Sequence, residues 1–255
     1  MRHEHTDYQI DGEKFKGYWS FPEEEEPSAE KRPAILIAHA WMGQDQFARH
    51  KADELARLGY IGFAADLYGE GKTATNAEDA QKLMVPLFEN RQLLQKRIQG
   101  AFDTVRKHPG VDPAKIGGIG FCFGGLTIIE LLRSGADVKG VVSFHGLLGS
   151  RLQSLQAKTV PIARGIKGSL LVLHGNEDPL VSQQDILDFK KEFTEAQVDW
   201  QMNIYSHTSH AFTNPQANDK DSGLIFQPRS SERAWWAMIH FFSERFGLER
   251  KLRAY

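Results

Sequence analysis

From Pro33 onward the chain alternates short apolar runs with longer amphipathic stretches, and no other feature limits its possible folds so tightly. Strands buried on both faces read as nearly continuous apolar runs, and joining two of them in parallel needs a crossover, usually a helix. The apolar runs at 34–39, 61–65, 116–120, 140–144, 169–174 and 200–205 are the expected strands. Helical spacing between them predicts helices over 46–58, 77–108 with a break or bend at Pro86, 123–134, 182–196 and 231–246. The pattern specifies an α/β class fold, a mostly parallel central sheet flanked by helices. Ahead of it, Tyr8, Ile10, Phe15 and Tyr18 alternate around Asp11-Gly12 and predict a hairpin over 6–20. The glutamates between Pro22 and Pro27 read as a solvated loop, and 215–228 as the longest irregular stretch. A chain of 255 residues, 41% hydrophobic, is enough for one large core, so 1–255 is read as a single domain with its core over 33–246.

Charge narrows the partners. Lysines and arginines number 31 against 33 aspartates and glutamates, a formal net charge of -2, so no global field favours nucleic acid or anionic lipid. No stretch approaches the roughly 18 to 20 apolar residues that cross a bilayer. The start, Met1-Arg2-His3-Glu4-His5, lacks the apolar segment of a secretory signal. The expectation is a cytoplasmic protein with a small-molecule partner, no nucleic acid and no membrane; the sequence carries no signal for an oligomeric state. Its single cysteine excludes an intrachain disulfide and a thiolate metal cluster, and nothing else demands a metal or organic cofactor.

That cysteine stands in the most informative segment. Ile116 to Gly120 reads as a buried strand, and Gly120-Phe121-Cys122-Phe123-Gly124-Gly125 follows as a glycine-rich turn into an apolar helix. This is the G-x-S-x-G elbow with cysteine in the serine position. The nucleophile of an elbow sits in a strained strand-to-helix turn, where side chains two residues to either side would collide. A sulfur raised there meets the N-terminus of a helix, whose dipole favours thiolate. The Phe123 N–H is then one oxyanion donor, and the second is expected from the loop His39-Ala40-Trp41-Met42-Gly43, at the Trp41 N–H. A lone buried cysteine is the structural alternative.

Acid and base should follow in that order, each in a loop past the C-terminal end of a strand. The run 170–173 ends in His174-Gly175-Asn176-Glu177-Asp178-Pro179, which offers Asp178 as the acid and Glu177 as its competitor. After the last expected strand, Ser206-His207-Thr208-Ser209-His210-Ala211-Phe212 offers His210 as the base and His207 as its competitor. His39, His145 and His174 read as satisfied core or strand-end residues, His39 and His145 with a possible pocket-facing position. Trp41, Tyr68, His145 and Phe212 are the candidate substrate-binding residues, by their places in loops. A Cys122-His210-Asp178 constellation implies thiol attack on an ester, thioester or lactone carbonyl, with His210 moving the proton and Asp178 fixing its tautomer. The alternatives are a non-catalytic small-molecule-binding protein on the same scaffold and, last, a redox-sensing thiol, for which no resolving cysteine exists.

With these motifs in place the chain resembles the dienelactone hydrolase family of α/β-hydrolases, from Tyr8 to Phe246. The likeness lies in Ile37-Ala38-His39-Ala40-Trp41-Met42-Gly43, Asp66-Leu67-Tyr68-Gly69-Glu70-Gly71, the cysteine elbow, Gly175-Asn176-Glu177-Asp178 and Ser209-His210-Ala211-Phe212. It implies the α/β-hydrolase fold, triad roles for Cys122, Asp178 and His210, and oxyanion amides from Trp41 and Phe123. Two positions depart from the pattern. Ala40 stands where dienelactone enzymes carry a glutamate that holds the resting thiol, and Asn214 where they carry an arginine for a substrate carboxylate. The resemblance therefore implies a hydrolase of esters or lactones whose thiol is activated by His210 directly.

Overall fold

The computed structural model describes residues 1–23, 30–148, 162 and 164–248. Most of the loop expected between Pro22 and Pro27 lies outside the described residues. One sheet contains β1 (Arg2–Ile10), β2 (Glu13–Phe21), β3 (Arg32–Ala38), β4 (Ile61–Ala64), β5 (Val111–Phe121), β6 (Gly140–Phe144), β7 (Ser169–Gly175) and β8 (Trp200–Tyr205). The helices are α1 (Gln46–Arg57), α2 (Ala77–Glu89), α3 (Arg91–Lys107), α4 (Phe123–Arg133), α5 (Gln183–Glu195) and α6 (Pro228–Arg245). A small antiparallel ribbon pairs β9 (Asn218–Asp219) with β10 (Leu224–Ile225).

The strand order is β1-β2-β4-β3-β5-β6-β7-β8. Strands from β4 to β8 run parallel, and β1 and β2 are antiparallel additions at one edge. The chain leaves β3 for β4 on one side and returns to β5 on the other, so the order reverses at the β3/β5 boundary. In open α/β sheets such a reversal opens a crevice outside the carboxyl ends of the strands.

Period-two alternation makes two cores from one sheet. Ala34, Leu36 and Ala38 of β3 face one apolar cluster with Phe88, Leu94, Ile98, Ile128 and Phe189 from α2 to α5. Ile35 and Ile37 face the other, with Ala52 and Leu55 of α1 and Met238 and Phe242 of α6. Strands covered on both faces need apolar residues at every position, which is why β3, β6 and β7 read as unbroken runs.

The structure shifts several expected boundaries. The hairpin turns at Asp11-Gly12, both at positive φ, but its strands extend over residues 2–21 rather than 6–20. The long helical stretch breaks at Asn90 and not at Pro86, which stays inside α2. Asn90 ends α2 by donating its N–H to the Pro86 carbonyl, and its side chain accepts the Leu93 N–H to start α3. The 215–228 stretch holds the β9–β10 ribbon, and α6 begins at Pro228, whose missing N–H costs nothing at the first helical turn. No helix among the described residues is long and apolar enough to cross a membrane.

Candidate active site

The expected site residues lie past the C-terminal ends of the parallel strands, in loops except for Phe123, the first residue of α4. At the end of β5, Cys122 adopts φ 56° and ψ -116°, a left-handed conformation unusual for a residue with a side chain. The flanking glycines make this turn possible. A Cβ on Gly120 would stand 1.9 Å from the Gly124 carbonyl oxygen, and one on Gly124 would stand 2.1 Å from that of Ala38. The Cys122 N–H is tied to the Phe144 carbonyl at 3.1 Å, and its own carbonyl accepts the Gly125 N–H at 2.9 Å, opening α4. The thiol is half-buried at the helix N-terminus.

Two loops are zipped together to bring Asp178 and His210 into contact. Past β7, the Asn176 N–H donates to the Tyr205 carbonyl and the Glu177 N–H to the Thr208 carbonyl, each at 2.9 Å. Gly175 lets this happen: a Cβ there would meet the Thr208 and Ser209 carbonyl oxygens at 2.4 and 2.7 Å. Asp178 then accepts the Leu180 N–H on one oxygen and faces His210 Nδ1 with the other, at 2.9 and 2.8 Å. Both side chains are fully withdrawn from solvent. The competitors go elsewhere together, since His207 and Glu177 pair with each other at 3.4 Å on the surface.

The other edge of His210 is chemically open. Nε2 is buried without a hydrogen-bond partner among the described residues. The Cys122 sulfur lies close enough to act on it electrostatically. Burial disfavours imidazolium, yet the charge of Cys122, polar contacts with Asp178 and the Cys122 thiol, and the charge of Asp178 outweigh it and hold the His210 pKa well above its usual range. His145 does the reverse. Burial, then the charge of His210, hold it well below the usual range, and it stays neutral. Its ring lies edge-on to His210 with centroids 5.1 Å apart, and its Nε2 meets Thr213 Oγ1 at 2.7 Å.

The candidate substrate-binding residues divide. Trp41 is half-buried at the crevice. Tyr68 is 6% exposed, with its hydroxyl on the Trp41 carbonyl at 2.7 Å. Phe212 is 0% exposed and packs with Tyr205 and His145 in the α6-side core, so it forms no open wall. His145 is equally enclosed behind His210. Their positions beside His210 in the fold, rather than any opening to solvent, explain why loop location alone suggested them. The Trp41 and Phe123 N–H groups have no protein acceptor among the described residues.

Sequence reasoning gave no role to Asp66 or Thr213, placed His39 only as a core or pocket-facing residue, and left the β9–β10 excursion as an irregular stretch. Leu224 bridges His210, the Ile225 N–H donates to the His210 carbonyl at 3.1 Å, and Gly223 abuts Pro179 beside Asp178. The apparently irregular stretch thus braces both loops. Only Asp66 had a readable signal, an aspartate opening a turn with glycines at Gly69 and Gly71.

A parallel sheet with a nucleophile elbow and a following Asp–His pair defines an α/β-hydrolase. The sequence profile of the Dienelactone hydrolase family matches residues 15–246, and the chain belongs to that family. Among curated relatives, it is 29% identical to a putative carboxymethylenebutenolidase of Aquifex aeolicus (strain VF5), over 93% of this chain and 96% of that protein. It is 27% identical to Protein usf of Aquifex pyrophilus, over 94% and 97%. Among solved structures, a dienelactone hydrolase-like promiscuous phosphotriesterase from metagenomic libraries superposes with a TM-score of 0.86 at 32% identity, covering 95% of this chain and 98% of the other. The protein is a hydrolase of this family.

Proposed function

We propose that the protein hydrolyses small carboxylic esters or lactones through a Cys122-His210-Asp178 triad and a thioester acyl-enzyme. The observation that carries this reading is the buried Asp178–His210 contact, which leaves Nε2 unpartnered on the side of the elbow thiol. His210 Nε2 takes the thiol proton, and the sulfur bonds to the substrate carbonyl carbon, whose π electrons move to oxygen. The Phe123 and Trp41 N–H groups receive that oxyanion. Collapse breaks the carbon–oxygen bond, and the imidazolium returns its proton to the departing alkoxide, which in a lactone stays tethered. Water, deprotonated by His210, then attacks the thioester and releases acid and thiolate. Asp178 holds Nδ1 protonated throughout.

Two positions shape the substrate. Asn214 stands where a carboxylate-binding arginine would be, and its side-chain oxygen is engaged by the Gln216 N–H at 3.0 Å. Ala40 offers no carboxylate to hold the resting thiol. Both features favour neutral substrates and a thiol activated by His210 directly. Half-buried Trp41 is the residue we assign to the substrate pocket.

The test is hydrolysis of a short-chain p-nitrophenyl ester by wild type and Cys122→Ala, with the acylated protein sought by intact mass spectrometry. Thioester, lactone and phosphotriester substrates complete the panel, the last because one structural relative bears that description. Activity and adduct should both vanish in the variant. Activity that survives Cys122→Ala points to another nucleophile, and an inert wild type across the panel would favour a small-molecule-binding protein.

A further inference from the structure

The loop after β4, Asp66-Leu67-Tyr68-Gly69-Glu70-Gly71, takes no part in the proposed proton transfers, yet it is built with unusual economy. Asp66 is fully buried, and its carboxylate accepts four backbone N–H groups. Those of Tyr68 and Gly69 meet Oδ1 at 2.9 and 2.8 Å, and those of Gly71 and Lys16 meet Oδ2 at 2.7 and 3.1 Å. Several such donors are what a buried carboxylate without a cation requires. The N-terminal hairpin locks the loop from outside: the Tyr8 hydroxyl donates to the Asp66 carbonyl, and the Glu70 N–H to the Lys14 carbonyl, each at 2.9 Å.

From this fixed base Tyr68 reaches both assigned oxyanion residues. Its hydroxyl donates to the Trp41 carbonyl at 2.7 Å. Its ring stacks on Phe123 with centroids 6.4 Å apart and planes at 19°. It also packs edge-on against His39 at 4.7 Å. His39 Nε2 accepts the Leu67 N–H at 3.2 Å, so Nδ1 carries the proton and donates to the Ala40 carbonyl at 2.6 Å. The peptide unit that ends in the Trp41 N–H is therefore held at its oxygen by His39, and the next unit by Tyr68. Burial and then the nearby charge of Cys122 raise the Tyr68 pKa, so the phenol remains a donor.

We infer that Tyr68 is a positioning residue that pins the peptide unit directly after the Trp41 N–H through its hydroxyl and the seat of Phe123 through its ring, so that the loop holds both oxyanion donors aligned before substrate binds. This rests on the hydrolase reading above and adds to it a residue that acts on the oxyanion and not on the thiol. An oxyanion forms when a carbonyl is attacked; none forms when iodoacetamide is attacked at its saturated carbon. The two reactions of one cysteine therefore separate the roles.

The experiment compares wild type, Tyr68→Phe and Cys122→Ala for p-nitrophenyl ester turnover, for the rate of Cys122 alkylation by iodoacetamide, and for cooperative thermal unfolding. Tyr68→Phe should keep the ring stack and lose the hydroxyl bond. Its kcat should fall about tenfold with KM changed by less than about twofold, the mark of an interaction used in the transition state. Its alkylation rate should stay within about twofold of wild type. An unchanged kcat overturns the inference, as does a raised KM at constant kcat, which would make Tyr68 a substrate contact. Alkylation that slows in step with turnover, or loss of cooperative unfolding, assigns Tyr68 to the thiol or to the fold and also overturns it. An inert wild type defeats the ester-hydrolase reading and an active Cys122→Ala defeats its thiol mechanism, whereas Tyr68→Phe matching wild type beside a dead Cys122→Ala defeats the clamp alone.

Discussion

Asp178 shows how much one side chain's chemistry depends on its two oxygens having different partners. One oxygen is fixed by the Leu180 N–H and the other faces His210 Nδ1, so the two bonds together hold the carboxylate's orientation. Asp178→Asn keeps the shape, removes the charge that supports imidazolium, and can present an N–H to Nδ1, which selects the wrong tautomer. Ester turnover should fall by about 100-fold or more while the protein remains folded. A kcat/KM within about threefold of wild type would show that Asp178 is not the acid. Glu177→Gln is the matched control, because Glu177 is half-exposed and pairs with His207 away from the site.

At the scale of elements, α4 carries the elbow and must be held at its far end as well. Glu130, fully buried in α4, accepts hydrogen bonds from Arg133 at 2.8 Å and Gln95 at 2.9 Å, and faces Arg91 at 3.8 Å. Arg133 continues to Glu192 of α5 through two bonds of 3.0 and 2.5 Å. Arg91 makes no hydrogen bond through its guanidinium among the described residues and lies over the Phe88 ring at 4.3 Å. Taking away Glu130 would leave two buried guanidiniums short of negative charge. Glu130→Ala should lower the unfolding free energy by about 3 to 5 kcal/mol in urea titration, and a loss below about 1 kcal/mol would show that the network is neutral to stability. The elbow end has the opposite problem, too little room. Gly124→Ala would drive a Cβ into the Ala38 backbone and should cost about 3 kcal/mol in the same titration, with turnover lost because the turn has to open.

The whole molecule has a pH dependence set by its buried histidines. Burial lowers the pKa of His39, His145 and His174 in the folded state. Above the ordinary value near 6.5 they are neutral folded or unfolded and contribute nothing; below it the unfolded chain binds protons that the native state refuses, and stability falls. His210 has a raised folded pKa, so its contribution is present in acid and is lost as pH rises through that raised value. Burial of half-buried His108 lowers its pKa in the same direction, and four groups against one predict a thermal midpoint that drops between about pH 7 and about pH 5, with a shallower drop in His145→Gln. A midpoint flat across that range would mean that these imidazoles are charged in the native state.

What the sequence determined by itself was whatever depends on local order along the chain. Apolar runs long enough to be buried on both faces dictated the parallel sheet, and glycines at fixed offsets marked Cys122 as the elbow, because a strained turn excludes side chains at those offsets whatever the surroundings. It also named Asp178 and His210, since each follows its strand at the distance a loop spans. It could not exclude His207 or Glu177, because only the zipping of two loops distant in sequence turns one pair inward and sends the other to the surface. Nor did it show that 215–228 braces His210, that Phe212 is sealed in the core, or that Tyr68, in the loop fixed by Asp66, reaches the Trp41 carbonyl. Those depend on contacts between segments that are neighbours only after the sheet has formed, and on burial, which gives a carboxylate or an imidazole a different chemistry from the one its letter in the sequence implies.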